Sequence, residues 1–135
     1  MIHNPEVQRI LSERINNIAG VRAAVVLADD GLPRYWSGLE KDDAERRAAL
    51  SSSLGTIAAR IAADEEAGVV KRTLIEMEKG FFVVARCGER SYLAVSARPD
   101  ANLSVVGYEL TLLTKQLATV LDTDPRQGDQ GGPRT

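Results

Sequence analysis

The chain has almost no cysteine or histidine, and this limits the chemistry it can carry. Cys87 is the only cysteine and His3 the only histidine among 135 residues. One cysteine cannot form an internal disulfide, and its position within an apolar strand pattern favours a reduced, buried thiol. His3 precedes the first predicted helix and has no carboxylate or cysteine at a useful spacing. A metal site or a histidine-based nucleophilic site is therefore disfavoured.

The sequence also lacks the signatures of nucleotide hydrolysis, nucleic-acid binding and membrane insertion. No G-x-x-x-x-G-K-[ST] run is present, so the chain is not expected to be a GTPase itself. Its 17 basic and 19 acidic residues give a formal net charge of −2, without a basic stripe that would suit nucleic acid. The apolar stretches are too short or too interrupted by charge to span a bilayer. We expect a cytoplasmic, non-enzymatic domain without cofactor or metal.

Two acidic pairs are the remaining candidates for a cation site. Asp29-Asp30 precedes Gly31 between two predicted strands, which is better explained by a turn. Asp42-Asp43 lies where a helix begins, and there negative charge complements the helix dipole. Neither pair is predicted to bind a metal.

Hydrophobic periodicity predicts eight elements within one domain spanning residues 1–121. Helices with an apolar face alternate with short runs rich in β-branched residues, and Gly-containing turns separate the strands. With helices on both faces, a five-stranded antiparallel sheet makes a three-layer α+β domain. Residues 122–135 are rich in Gly, Pro and charge and are predicted to form a disordered tail. The predicted order is helix 4–20, strands 21–28 and 32–37, helix 41–67, strands 69–77, 81–87 and 91–97, and helix 103–121.

Two of the predicted strands have the character of sheet edges. Pro33 removes a ladder donor from the second strand, which places that strand at an edge. The third strand, 69–77, carries Lys71, Arg72 and Glu76 among its apolar residues. This pattern suits an edge strand, or one that is exposed until the protein assembles.

The second predicted helix is apolar or small around too much of its circumference for an ordinary surface helix. At about 100° per residue it carries two stripes roughly 120° apart and a polar arc covering about a third of the wheel. One stripe should lie on the sheet and the other on a partner, unless both pack within one chain. We assign the bulky stripe to the sheet and the small stripe to a partner helix, because small residues let helices approach closely. The bulky stripe is Leu50, Leu54, Ile57 and Ile61, and the small stripe is Ala44, Ala48, Ser51, Gly55, Ala58 and Ala62.

Three segments together resemble the Roadblock family of dynein light-chain-like proteins from about residue 4 to residue 121. They are the hairpin GVRAAVVLADDGLP, the helix beginning DDAERRAAL and the meander ending in SYLAVSA. The resemblance implies a Roadblock/longin/profilin-like fold and a homodimer or heterodimer formed through the second helix and third strand. The implied dimer interface comprises Ala44, Ala48, Ser51, Gly55, Ala58, Ala62, Thr73 and Ile75.

The resemblance further implies that the protein regulates, or is a platform for, a small Ras-like GTPase in bacterial signalling. A sensor-kinase-like protein is a further implied partner, and a partner is the implied route to any membrane recruitment. The GTPase contact is assigned to the polar arc of the second helix and nearby loops. Tyr35 and Trp36 depart from the small or aliphatic residues expected in the second strand, so they mark either a partner contact or packing under a loop. The candidate partner-binding residues are Asp42, Glu45, Arg46, Arg60, Asp64, Tyr35 and Trp36.

Two other functions remain open from the sequence. A small-molecule sensor of the PAS or GAF type would also contain a five-stranded antiparallel sheet, although its helices are placed differently and no polar-lined cavity is evident here. A purely structural dimeric scaffold would bind its partner without changing GTP turnover. A ligand-dependent shift in melting temperature would identify the sensor, and a GTPase assay would separate the regulator from the scaffold.

Overall fold

Five strands form one antiparallel sheet, with two helices on one face and one long helix on the other. The computed structural model describes residues 4–123. The strand order is β2-β1-β5-β4-β3, and every neighbouring pair is antiparallel. This confirms the predicted three-layer α+β fold and its element order. The elements are α1 (Pro5–Asn16), β1 (Val21–Ala28), β2 (Pro33–Ser37), α2 (Lys41–Asp64), β3 (Thr73–Met77), β4 (Gly80–Arg86), β5 (Ser91–Ala97) and α3 (Leu103–Thr123).

The first helix begins as its sequence predicts and ends earlier. The Asn4 side chain accepts a hydrogen bond of 3.0 Å from the Glu6 N–H, and proline occupies the first turn. The helix ends at Asn16 and not at Gly20. Gly20 instead has a φ of 89° immediately before β1, so it turns the chain into the sheet.

The connection between α2 and β3 is longer than predicted. The helix ends at Asp64, because Glu66 and Gly68 adopt positive φ angles of 53° and 84° that no α-helix can contain. Residues 69–72 precede the strand, and the ladder with β4 starts at Thr73. The third strand is therefore shorter than the apolar pattern suggests.

The last helix extends past its predicted end. It reaches Thr123, and the Asp122 carboxylate accepts a hydrogen bond of 3.1 Å from the Glu89 N–H in the turn between β4 and β5. This bond ties the end of α3 to the sheet. The remainder of the predicted tail, 124–135, lies outside the described residues, as does His3.

The larger core lies between the sheet and the pair α1 and α3. An ion pair of 3.0 Å between Arg14 and Glu109 joins the two helices at the surface of this layer. Below it, inward-facing strand positions and the apolar stripes of both helices exclude water. The buried members are Val7, Ile10, Leu11, Ile15, Ile18, Ala24, Val26, Tyr35, Val83, Cys87, Leu93, Val95, Val106, Leu110, Leu113, Leu117 and Leu121.

The smaller core lies between α2 and the opposite face of the sheet, and it corrects the predicted orientation of this helix. Ala44, Ala48, Ser51 and Gly55 are buried within the protomer, so the small stripe lies on the sheet. The sheet itself supplies the larger side chains of this layer, which leaves room only for small residues on the helix. Its strand members are Val25, Leu27, Val84 and Ala94, with Trp36, Phe82 and Tyr92 partly buried beside them.

Gly55 is the point of closest approach between α2 and the sheet. A Cβ atom at this position would lie 2.7 Å from two ring carbons of Tyr92. The Tyr92 ring is held in place, because its hydroxyl accepts a hydrogen bond of 3.2 Å from Arg86, whose guanidinium also stacks over the ring at 4.4 Å. The helix can therefore lie this close to the sheet only with glycine here.

Replacing Gly55 by valine should destabilise the fold. The added branch must displace Tyr92 or lift α2, which typically costs about 1 to 3 kcal/mol of unfolding free energy. Urea denaturation followed by circular dichroism measures this loss. Ala59→Val is the matched control, since Ala59 is exposed on the same helix. A Gly55→Val loss no larger than that of the control would contradict the close approach.

Cys87 is fully buried in the larger core, as its sequence context predicts. Its Sγ lies 3.8 Å from the Thr114 carbonyl oxygen, to which the thiol donates. Burial raises the pKa of the Cys87 thiol from 9.0 to about 12, and the nearby Asp122 carboxylate adds to the rise. The thiol stays protonated and unreactive while the protein is folded.

Labelling of Cys87 should therefore report unfolding. We expect slow reaction with a thiol reagent in native buffer and fast reaction in denaturant. Because the folded-state pKa is the higher one, this group leaves stability unchanged below pH 9.0 and lowers it as pH rises from there towards about 12. Stability of Cys87→Ala should fall less steeply across that alkaline range. Fast labelling of the native protein would show that the thiol is accessible.

Candidate functional site

The bulky stripe of α2 faces away from the sheet. The side chains of Leu50, Ile57 and Ile61 are 70%, 56% and 58% exposed, and Leu54 is partly buried against the core edge. Large apolar side chains at a repeated helical spacing are unusual on a surface unless they meet a partner. The sequence identified this stripe and its spacing, but it did not show which stripe would remain exposed.

The exposed edge strand β3 lies beside this stripe. Pairing with β4 places Ile75 opposite Phe82 and Met77 opposite Gly80, on the face of the sheet that α2 covers. Ile75 and Met77 are exposed, and β3 has no strand neighbour on its outer side within residues 4–123. An edge with free ladder groups and exposed apolar side chains can pair with another strand.

A groove of about 670 Å³ separates the first half of α2 from β3 and the β3–β4 turn. Its floor is apolar and includes Leu50, Leu54, Ile75 and Met77. Basic side chains surround it, and none of the described residues that line it is acidic. The cations are Arg22, Arg46, Arg47 and Lys79.

A second groove of about 590 Å³ continues along the other half of α2. Its lining includes Ala58 and Ala62, which are only partly buried, and Thr73 at the start of β3. These three predicted interface residues, with Ile75, border the exposed edge. Ala44, Ala48 and Ser51 do not, because the protomer's own sheet covers them, and Gly55 is buried but contributes to the lining of the second groove.

The polar arc of α2 points to solvent beside the bulky stripe. Its five predicted partner-binding members are exposed and share one helix face, in two groups about 21 Å apart along the axis. Arg46 forms an ion pair with Asp43 one turn earlier. These members are Asp42, Glu45, Arg46, Arg60 and Asp64.

Tyr35 and Trp36 lie on opposite faces of β2. Tyr35 is fully buried, and its hydroxyl accepts a hydrogen bond of 3.0 Å from the Asn4 N–H, so its assignment as a partner contact is wrong. The ring packs in the larger core, and its hydroxyl reaches the residue that caps the N-terminus of α1. Trp36 packs at the edge of the α2 core and keeps part of its surface exposed.

The acidic pairs have local structural partners. Asp30 accepts from the Leu32 N–H at 2.9 Å and pairs with Arg34, and Asp29 pairs with Arg86 at 3.1 Å. Within residues 4–123, no group of three or more His, Cys, Asp and Glu side chains is placed to hold a metal ion. None of the helices in this range has the length and hydropathy of a membrane span.

Comparison with known proteins identifies relatives of this fold and sequence. A family model for the Roadblock/LC7 domain matches residues 7–97. A Roadblock/LC7 domain from Streptomyces avermitilis is 29% identical, with a TM-score of 0.82 over 86% of this chain and 98% of its own. A second such structure from that organism is 33% identical, with a TM-score of 0.68 over 82% and 97%.

A more distant similarity supports the fold alone. Myxococcus xanthus MglB is 13% identical and has a TM-score of 0.80, covering 87% of this chain and 96% of its own. No curated protein sequence matches the chain.

Proposed function

The chain belongs to the Roadblock/LC7 family, and we propose that it is a cytoplasmic, homodimeric, non-enzymatic regulator of a small Ras-like GTPase in bacterial signalling. The observation that carries this proposal is the bulky stripe of α2 lying exposed beside the unpaired edge of β3. One protomer leaves both surfaces uncovered on the same side of the molecule. A second copy offers the same two surfaces.

A dimer with a two-fold axis perpendicular to the sheet would cover both the bulky stripe of α2 and the edge of β3. Rotation about such an axis near Ile75 makes β3 pair antiparallel with β3 of the second copy, which gives one continuous sheet. The two α2 helices then lie side by side, also antiparallel, with their bulky stripes in contact. We call this contact the α2 seam. It comprises Leu50, Leu54, Ile57 and Ile61, flanked by Ala58, Ala62, Thr73 and Ile75.

Ile57→Asp should split this dimer. The change places a carboxylate from each copy close to the axis, where desolvation and like charge oppose association. We expect the dimer dissociation constant to rise at least about 100-fold. Light scattering and sedimentation across micromolar concentrations measure it.

Thr56→Asp is the matched control for this variant. Thr56 neighbours Ile57 but is exposed on the polar side of α2, so the same added charge should leave the dimer intact. Circular dichroism checks that both variants are folded. A dimeric Ile57→Asp protein, or a monomeric unmodified protein, would refute the proposed α2 seam.

The polar arc is the surface we assign to the GTPase. It is neither covered by the sheet nor needed for the α2 seam. Antiparallel pairing places the two arcs on the same face of the dimer, so that together they form a composite surface of mixed charge. Asp42, Glu45 and Arg60 lie farthest from the α2 seam, and Arg46 and Asp64 lie at its border.

Reversing charge on the arc should weaken GTPase binding without affecting the dimer. The partner is a small Ras-like GTPase captured with the tagged protein from its own cells and then purified. We expect Glu45→Arg with Arg60→Glu to raise the dissociation constant about tenfold or more, because opposite charges across an interface become like charges. Titration calorimetry measures binding, and phosphate release measures GTP turnover with and without the protein.

Lys115→Glu is the control, since Lys115 is exposed on α3, on the face of the sheet opposite to α2. Equal binding by the arc variant and the control would show that the GTPase does not bind at the polar arc. Binding without any change in turnover would identify a scaffold. A melting temperature raised by a small molecule, with no GTPase captured, would identify a sensor.

A further inference from the structure

The exposed stripe of α2 ends in charges of opposite sign. Arg47 lies before Leu50, and Glu65 follows Ile61 as the C-cap residue of the helix. About five helical turns separate these two charges, roughly 27 Å along the axis, so they project from the same side of α2. Both lie on the flank of the bulky stripe that is nearer to the sheet.

Neither charge is placed to favour the helix dipole. Glu65, the C-cap residue, opposes the negative end of the dipole, and Arg47 lies in the second turn, where the influence of the dipole is small. Arg46 is already paired with Asp43, whereas Arg47 and Glu65 form no ion pair among the described residues. Both charges are therefore available to pair with groups of a partner.

The surroundings of Arg47 call for an acidic partner. Arg47 is half-buried at the apolar groove beside β3, whose other charged lining residues are Arg22, Arg46 and Lys79. Asp43, one turn before Arg47 on the same helix, is paired with Arg46. Clustered cations repel one another, and a carboxylate entering the groove would relieve that repulsion. At the opposite end of the helix, Glu65 belongs to an exposed acidic run with Asp64 and Glu66.

Symmetry brings the two ends together. The midpoint of the bulky stripe lies between Leu54 and Ile57, so antiparallel packing about this point sets Leu50 opposite the partner's Ile61. The same register sets Arg47 opposite the partner's Glu65, because both lie on the sheet side of the α2 seam.

The edge strand leads independently to the same pairing. The half of α2 that contains Arg47 borders Met77 in its groove, and the other half borders Thr73. When β3 pairs antiparallel about Ile75, Met77 lies beside the partner's Thr73. The N-terminal half of each α2 therefore meets the C-terminal half of the other.

We propose that Arg47 and the partner's Glu65 form an ion pair at each end of the α2 seam, and that these two pairs select antiparallel self-association. This inference rests on the proposed homodimer. A parallel arrangement would set Arg47 against Arg47 and Glu65 against Glu65. Pairs at the rim of an interface contribute less to affinity than to register and choice of partner, because mismatched charges are penalised.

Charge reversal provides the test. Arg47→Glu and Glu65→Arg each place like charges at both ends of the α2 seam, and we expect each to raise the dimer dissociation constant about tenfold to 100-fold. Mixing the two variants should produce a heterodimer with near-normal affinity, because one end of the α2 seam keeps the native ion pair and the other end carries a reversed one. A single chain carrying both changes should regain the homodimer to within about threefold. Sedimentation and native mass spectrometry, with one variant isotopically labelled, measure these species.

Lys41→Glu is the matched control. It reverses a cation in the first turn of the same helix, on the side facing away from the α2 seam, and should leave dimerisation unchanged. High salt should reduce the difference between the unmodified protein and each single variant, because it screens exposed charge.

The proposal is overturned if each single variant dimerises as tightly as the unmodified protein, or if the mixture shows no preference for the heterodimer. Either result together with a monomeric Ile57→Asp protein would refute the ion pairs and would still support a dimer formed through the apolar stripe. A dimeric Ile57→Asp protein would instead refute the α2 seam itself.

Discussion

The close packing of α2 on the sheet determines how the rest of this molecule is arranged. The sheet presents Val25, Leu27 and the Tyr92 ring to the helix, and α2 approaches them with alanine, serine and glycine. Small residues at this contact force the large apolar residues of the helix elsewhere. They project sideways and outward, about 120° from the sheet. An apolar surface is thus left over by the way the protomer's own core is filled.

This apolar surface lies beside β3, and the two edges of the sheet differ in how well they are protected. The other sheet edge, β2, has the same length as β3 but contains Pro33, and the side chains of β2 are at least partly buried. The edge at β3 carries Leu74, Ile75 and Met77 in the open. A sheet that is protected at one edge and apolar at the other is suited to extension by one further strand. Combined with the α2 stripe on the same side, this asymmetry favours one closed pair over an open chain of copies.

The sequence predicted the fold well because each element carried a local signal. Asn4 and Pro5 marked a helix start, Pro33 an edge strand, and short turns the antiparallel meander. The orientation of α2 was not predictable in the same way. Both stripes have helical spacing, and the choice between them depends on how much space Tyr92 and Phe82 occupy from strands far along the chain. The burial of Tyr35 was not predictable for the same reason, because it depends on how α1 packs on the sheet.

The circumference of α2 is divided among three surfaces, of which the polar arc faces solvent. One third is reserved for the sheet and tolerates only small residues. One third is apolar and, in the proposed dimer, meets the same third of a second copy. Placing Glu65 at the C-cap of α2 costs a little helix stability in each protomer, because its charge opposes the helix dipole. In the proposed antiparallel dimer, Arg47 and Glu65 are complementary at both ends of the α2 seam. The arrangement therefore disfavours the isolated helix and favours the dimer.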